Sequence, residues 1–477
     1  MPLIRVPVIE GTSGGTPLAS SPQRAANMFP VVSNAAKFGA TWKNCPGWKE
    51  WLCVGHNPLR AGIVFKKLLY VVSEDIVYQI SKNKTFKIVG RIGSKTGPVS
   101  MAEDGINMLI ADENQMYRWN ETVFELVSLP FLRPRSLINH DGHFIAHEFD
   151  SGRFFISDKF DGTTWDALQF ATAEDKSDNI VQLLSDRLLW IYGDISTQPY
   201  NNNGQQFPFT PNLQGRIIYG MAGTATAVRL DNTNYWLAQS EYGDVKVVRA
   251  NGFAPQAVST PEIEEEISSF TRIDDAYARA MMWEGHEWYI LIFPSEKRTF
   301  VYDTNGFWFE WGKYDNERNV VVDHPMVAYV SFERLALFLS EDGCIYQIDN
   351  DTYKQGDDNM VREWVTRVQN VDEQRIFVNK LILDMRTGMA NSNIEMCVSY
   401  DGGNTFGNWQ TRTTGNEGVY TSRVQWDRLG SGYNVVFKFR VTDDVPTEIM
   451  SCIVDADVEI SYLDRRNARP GFENEIR

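Results

Sequence analysis

Apolar and polar positions alternate along most of the chain in short groups, and the pattern predicts β-strands joined by tight turns. Between Gly285 and Gly312, three apolar runs, Glu287–Phe293, Thr299–Asp303 and Phe307–Trp311, are separated by polar turns. The first is rich in β-branched and aromatic residues and stops at Pro294, which has no N–H to give to a ladder; the third follows Thr304-Asn305-Gly306. In the second run Phe300 and Tyr302 share one face while Val301 points to the other, so the predicted meander must be covered on both sides. Such a sheet cannot stand alone in water.

Strand pairs of the same form are centred near Leu69, Leu109, Ile145, Trp190, Leu237, Tyr289 and Leu337, a mean spacing of about 45 residues. That is the length of one four-stranded propeller blade. In a closed ring each small sheet covers its neighbours and only short edges remain. The expectation is an all-β chain with a six- or seven-bladed β-propeller over residues 61–355; the competing arrangement is an irregular series of hairpins in two stacked sandwiches. One helix is predicted from Pro261 to Phe270, where Pro261 and the early acids suit an N-terminus and Ile263, Ile267 and Phe270 share a face.

The pattern changes at both ends. Residues 1–60 hold Pro2, Pro7, Gly11, Gly14, Gly15, Pro17 and Pro22 and read as an extended arm laid over the propeller, able to contribute a closing strand. After Gln355–Asn359 come longer strands at Phe377–Met385, Ile394–Tyr400, Val419–Trp426, Val435–Val441 and Ile453–Ile460. They predict a C-terminal β-sandwich over 356–463, followed by a polar tail, 464–477.

Charge and cysteines narrow the classes. A net charge of −16 argues against tight nucleic-acid binding, which is driven by basic side chains displacing counterions from phosphates. Cys45, Cys53, Cys344, Cys397 and Cys452 are odd in number and show no C-x-x-C spacing, which favours free thiols in a reducing cytosol. No signal-like or membrane-spanning apolar run is seen, so no membrane insertion is expected.

Little of the sequence carries chemistry. The polar stretch Ile195–Gly215, with Tyr200, Asn201, Asn202, Asn203, Gln205, Phe207 and Phe209, reads as a long loop whose exposed aromatics and amides suit contact with another protein; a flap packed on its own chain is the alternative. Ser399, Asp401, Gly403, Thr405 and Phe406 match an Asp-box turn, in which Ser and Asp cap backbone amides, Gly supplies a positive φ and the aromatic plugs the strand pair. Asp161–Trp165 is a partial echo. His143 and His147 share a strand face but stand roughly 13 Å apart, too far for one ion. No catalytic residue, metal ligand or cofactor site is expected: the paired acids Asp274-Asp275 and Asp357-Asp358 are adjacent and point in different directions, and no nucleophile elbow, phosphate loop or H-E-x-x-H motif is found.

Several blocks resemble a known family. Glu262-Ile263-Glu264, Asp275-Ala276, Gly285–Tyr289 and Phe300–Asp303, then Gly204–Phe209 with Gly215–Gly220, then Val398–Gly430 with Val436-Phe437-Lys438 and Asp443–Pro446, are similar in order to the tail hub, or nozzle, proteins of short-tailed bacteriophages, also called packaged-DNA stabilisation proteins. Gln198-Pro199 and Phe406 depart from that pattern. The resemblance implies a propeller-plus-sandwich subunit of a homohexameric ring in the virion tail, assembled in the host cytoplasm. Its implied partners are the portal-adaptor ring, tail fibre, spike or needle proteins, and double-stranded DNA in transit. A propeller glycosidase or carbohydrate-binding protein of the sialidase type is the alternative, since a fold does not fix a function.

Overall fold

In the computed structural model the described residues are 3–6, 23–32, 40–55, 57–172, 178–371 and 374–458. The expected polar tail lies outside them. The chain forms two compact units, Pro46–Asp358 and Met1–Cys45 with Asn359–Arg477.

The first unit is a seven-bladed propeller. Blade 1 (Leu59–Arg91), blade 2 (Ser100–Val127), blade 3 (Pro134–Thr172), blade 4 (Ile180–Pro211), blade 5 (Tyr219–Ala257) and blade 6 (Tyr277–Glu310) are each antiparallel sheets of consecutive chain. Each of the seven repeat centres read from the sequence falls on the second strand of its blade and is buried. That strand is covered on both faces, so it carries the most continuous apolar run. Tyr70, Val72, Met108 and Ile110 pack between blades 1 and 2, and Ile145, Phe154, Leu183 and Ile191 between blades 3 and 4. The helix Pro261–Ser268 is capped by Thr260 and buries Ile263 and Ile267 among residues of blades 5 and 6. Phe270 lies past its end, half-buried on that cluster.

Blade 7 takes three strands from Ala328–Phe332, Leu335–Leu339 and Cys344–Asp349 and its fourth from Gly47–Cys53. The expected arm therefore divides. Its last part is the closing strand. The earlier strands Arg24–Ala26, Met28–Val32 and Ala40–Asn44 take part in the sheets of the second unit, as does Leu3–Val6. Of the expected arm, residues 7–22 and 33–39 lie outside the described residues. Ala40–Asn44 and Leu3–Val6 lie along the long C-terminal strand Glu448–Val458, and Met28–Val32 pairs with Ala40–Asn44 in turn, so an edge that would otherwise be exposed is covered.

The second unit is a sandwich. One sheet orders Met28–Val32, Ala40–Asn44, Glu448–Val458, Ile376–Met385 and Val424–Gly432; the other places Arg24–Ala26, Arg362–Val365, Val436–Val441, Asn393–Ser399 and Gln410–Thr413 side by side. Trp364, Trp426 and Phe439 pack together in its core. The strand expected from Val419 starts at Val424, since Val419 and Tyr420 are exposed.

Candidate functional site

The stretch expected as a free loop is the outer hairpin of blade 4, with strands Thr197–Asn202 and Phe209–Pro211. Tyr200 and Phe209 are each 1% exposed. Tyr200 meets Phe154 edge-on at 5.4 Å, Phe207 lies half-buried 6.1 Å from Phe154, and Phe209 packs on His140 and His143 at 5.6 and 5.9 Å. The aromatics are core, which corrects the reading of them as exposed contact residues. The strand is covered on both faces over its first part: Thr197, Gln198, Pro199 and Tyr200 are buried in succession, and only its end at Asn202 is exposed. Asn202, Asn203 and Gln205 remain exposed, and Asn201 is intermediate. The tip is closed by Asn203 N donating to the Pro208 carbonyl at 2.7 Å, and Asn202 Nδ2 donates to Asp141 at 2.8 Å.

The turn at Ser399 is built as expected in its polar part. Ser399 Oγ donates to Asp401 Oδ1 at 2.6 Å and accepts from Gly403 N at 2.9 Å; Asp401 also accepts from Thr405 N at 2.9 Å and Thr405 Oγ1 at 2.6 Å. The donors, Ser399 first and then Thr405, hold the Asp401 carboxyl down to about 2. Gly403 has φ +97°, a region that only glycine enters without strain. The aromatic, however, is no plug: Phe406 is 36% exposed. In the partial echo Asp161 binds Thr163 and Thr164 in the same way, and there Trp165 is 8% exposed and packs edge-on against Phe131.

The histidines are structural. His143 Nδ1 bonds the Ser157 carbonyl oxygen at 2.8 Å, while His147 is fully buried in blade 3 with both ring nitrogens unpartnered. Burial, then the Arg135 charge, pushes the His147 imidazole down to about 3, so it is neutral.

Among the described residues, two of the concavities lie in the propeller. One of about 280 Å³ is lined by the first strands of blades 2 to 4, including Ser100, Arg135, Leu137 and Gln182; its Arg135–Glu113 ion pair closes at 2.7 Å. The other, about 400 Å³, holds Asp150 and Asp194. Burial first, then Asp178 and Asp150, raises the Asp194 carboxyl. Asp178 itself accepts from Ile195 N, Ser196 N and Ser196 Oγ. Asp274 lines this concavity as well.

Sequence spacing hid one juxtaposition. Cys53 and Cys344 are joined in a disulfide between residues 291 apart, which corrects the expectation of free thiols for this pair; Cys45, Cys397 and Cys452 are free and buried. Only the closure of the ring brings the two together. No local signal encodes it.

Comparison with known proteins decides the family. Residues 4–353 match the phage stabilisation family described as Bacteriophage P22 Gp10, beta-propeller, and residues 361–457 match the family described as Bacteriophage P22 Gp10, beta-sandwich. The chain belongs to the phage P22 Gp10 family. The Gp10 matches cover both units in the order read from the sequence. No curated protein matches the chain. Among solved structures, the WD40 domain of Neurospora crassa Pan2 is similar at TM-score 0.41 and 10% identity, covering 64% of this chain and 96% of that one. The extracellular domain of the putative one component system BT4673 from B. thetaiotaomicron gives 0.43 and 11%, covering 82% and 57%. An exo-beta-1,3-galactanase from Phanerochaete chrysosporium gives 0.28 and 9%, covering 90% and 100%. Likeness at this level bears on no function, and the Gp10 assignment stands on the family matches.

Proposed function

We propose that the chain is a structural subunit of the tail nozzle of a short-tailed phage. It forms a homohexameric ring below the portal-adaptor ring, continues the DNA channel, helps to retain packaged DNA and docks tail fibre, spike or needle proteins. The observation that carries this reading is the pair of Gp10-family matches across propeller and sandwich. The net charge of −16 supports it, because DNA passes an acidic wall without sticking. The exposed amides of the blade 4 tip are the part of the expected assembly loop still available to a partner. Assembly takes place in the host cytoplasm and the product resides in the virion tail. Among the described residues no helix is long and apolar enough to cross a membrane.

The deciding measurement is the native mass of the assembled protein: six copies of a 54.5 kDa chain, about 327 kDa, recovered from tails of intact virions. Absence of the protein from virions overturns the reading.

A glycosidase is the second reading, and the observation that favours it is that Asp150 and Asp194 line one concavity of about 400 Å³. No hydrolysis of sialosides or other glycans is expected. Turnover that is lost in Asp194→Asn would establish the enzyme instead.

A further inference from the structure

We propose that Cys53 and Cys344, in their dithiol form, join Glu50 to bind a zinc-class divalent ion at the seam that closes the propeller. The three residues each offer one ligand atom, and these atoms all lie within 4.8 Å of one another. A tetrahedral zinc ion with bonds of about 2.3 Å to sulfur and about 2.1 Å to oxygen needs its ligand atoms roughly 3.5–3.8 Å apart. Small side-chain rotations reach that spacing.

The backbone explains why Glu50 takes part. On a regular strand a residue three positions before Cys53 would face away from it. Here the register shifts between Ile345 and Tyr346, so that Cys344 opposes Cys53, Ile345 opposes Leu52, and Tyr346 opposes Glu50, leaving Trp51 as the extra residue. Cys344 and Tyr346 share a face, and the bulge therefore brings Glu50 onto the face of Cys53, a common use of bulges to re-aim a side chain. Trp51 turns inward, 6% exposed, against Phe332 at 6.1 Å, while Glu50 is exposed and both cysteines are half-buried. An ion can enter from solvent.

A further carboxylate stands close by, since Tyr346, which shares the face of Cys344, donates to Asp342 Oδ2 at 2.7 Å. Two thiolates suit a soft or borderline metal over calcium or magnesium. Binding replaces the two thiol protons by one ion, releases both to solvent and moves no electrons. The disulfide is the other state of the same atoms, reached by thiol–disulfide exchange: the S–S bond of an oxidised low-molecular-weight disulfide breaks, the Cys53–Cys344 bond forms, and the two electrons and two protons pass to the two small thiols released. The ion would thus tie the strand Gly47–Cys53 to Cys344–Asp349 in reducing surroundings, where the disulfide does not persist.

The test is titration of the full-length protein with Co²⁺ and then Zn²⁺, in the reduced form and in the form oxidised with glutathione disulfide. Reduced wild type should take up a single ion per chain, show a thiolate-to-cobalt charge-transfer band bleached by Zn²⁺, and melt at higher temperature with Zn²⁺ than without. Oxidised wild type, which needs no substitution and keeps the fold, should show neither band nor shift. Cys344→Ser should lose the band, and Glu50→Gln should weaken binding roughly tenfold. No band in the reduced protein, or an equal one in the oxidised protein or in Cys344→Ser, overturns the proposal.

Discussion

Blades 1 to 6 and blade 7 have the same four-stranded core by different routes. In blade 1 all four strands lie between Leu59 and Arg91, joined by short turns; in blade 7 the fourth strand comes from Gly47–Cys53, paired to Cys344–Asp349 across most of the propeller's length. Closing a longer loop costs only logarithmically more entropy, so the remote pairing is affordable. What changes is where the packing must be concentrated. A strand with no short turn to hold it needs its own anchors, and Trp48 supplies one: it is fully buried, 5.6 Å from Phe338, 6.2 Å from Trp311 and 4.7 Å from His324.

The largest expected effect tests that anchor. Trp48→Ala should cost about 3–5 kcal/mol in urea unfolding, the usual range for a buried aromatic. Trp236→Ala in blade 5, where the indole is equally buried and meets Tyr192 at 5.5 Å, should cost a similar amount. Hydrogen exchange separates them. Trp48→Ala should expose the amides of Cys344–Asp349 first, whereas Trp236→Ala should loosen blade 5. Equal protection of the seam in both variants would erase the distinction between closing and consecutive blades.

Next in size are two glycines. A Cβ on Gly47 would lie 2.4 Å from the carbonyl oxygens of Thr352 and Lys354, which are backbone and cannot swing aside. A Cβ on Gly62 in blade 1 would meet mainly the Leu339 Cδ1 at 2.6 Å, the movable end of a side chain. Gly47→Ala is therefore expected to cost about 2–3 kcal/mol and Gly62→Ala less than about 1.5. A reversed order in thermal melts would show that the seam, not the blade, is the more yielding part.

How far this contrast was legible beforehand follows from physics. All seven second strands were visible because a doubly covered strand shows a continuous apolar run, as in Trp288–Phe293. The closing strand was only suggested, since GWKEWLC resembles any short edge strand and its partner is remote. The blade 4 hairpin was misread because TQPYNN and FTP are too polar and short to look like strands. The burial of their apolar members, Tyr200 and Phe209, is concealed by the Pro-rich stretch around them. The Asp401 turn was legible in its hydrogen bonds, which are local, and not in the burial of Phe406, which depends on what packs above it.

A third comparison sets His324 against His147. His324 lies at the seam, 4.3 Å from Trp311, and burial, then the Lys313 charge, pushes it down to about 3; His147 inside blade 3 reaches the same value. Both are neutral when folded and bind a proton near pH 6.5 when unfolded. The unfolded state therefore binds more protons between pH 6.5 and 3, and stability falls as pH drops through that window, by about 1.4 kcal/mol per pH unit for each histidine. At pH 5 each contributes a loss of about 2 kcal/mol. His324→Phe and His147→Phe should each flatten the pH profile of global stability by one such slope. In exchange measured at Cys344–Asp349, only His324→Phe should do so if the seam opens by itself.

The smallest effect concerns an outer edge made of consecutive chain. Asn203, Gln205 and Gln206 at the blade 4 tip are exposed, and the tip is held by backbone, by Asn202 and by Asn203 Oδ1, which accepts from Gln205 N at 2.9 Å, so replacing the three with alanine should cost no more than about 1 kcal/mol. Phe209→Ala, a few residues on, removes a buried ring and should cost about 3–5 kcal/mol. Deleting Asn201–Phe209 outright would remove parts of both strands and cannot separate folding from assembly. The alanine triple variant can, because its fold should be intact. If the tip is a docking surface of the tail, virions carrying the variant should package DNA and then lose it. Full retention of DNA and infectivity would make the tip a passive turn and leave docking to other surfaces.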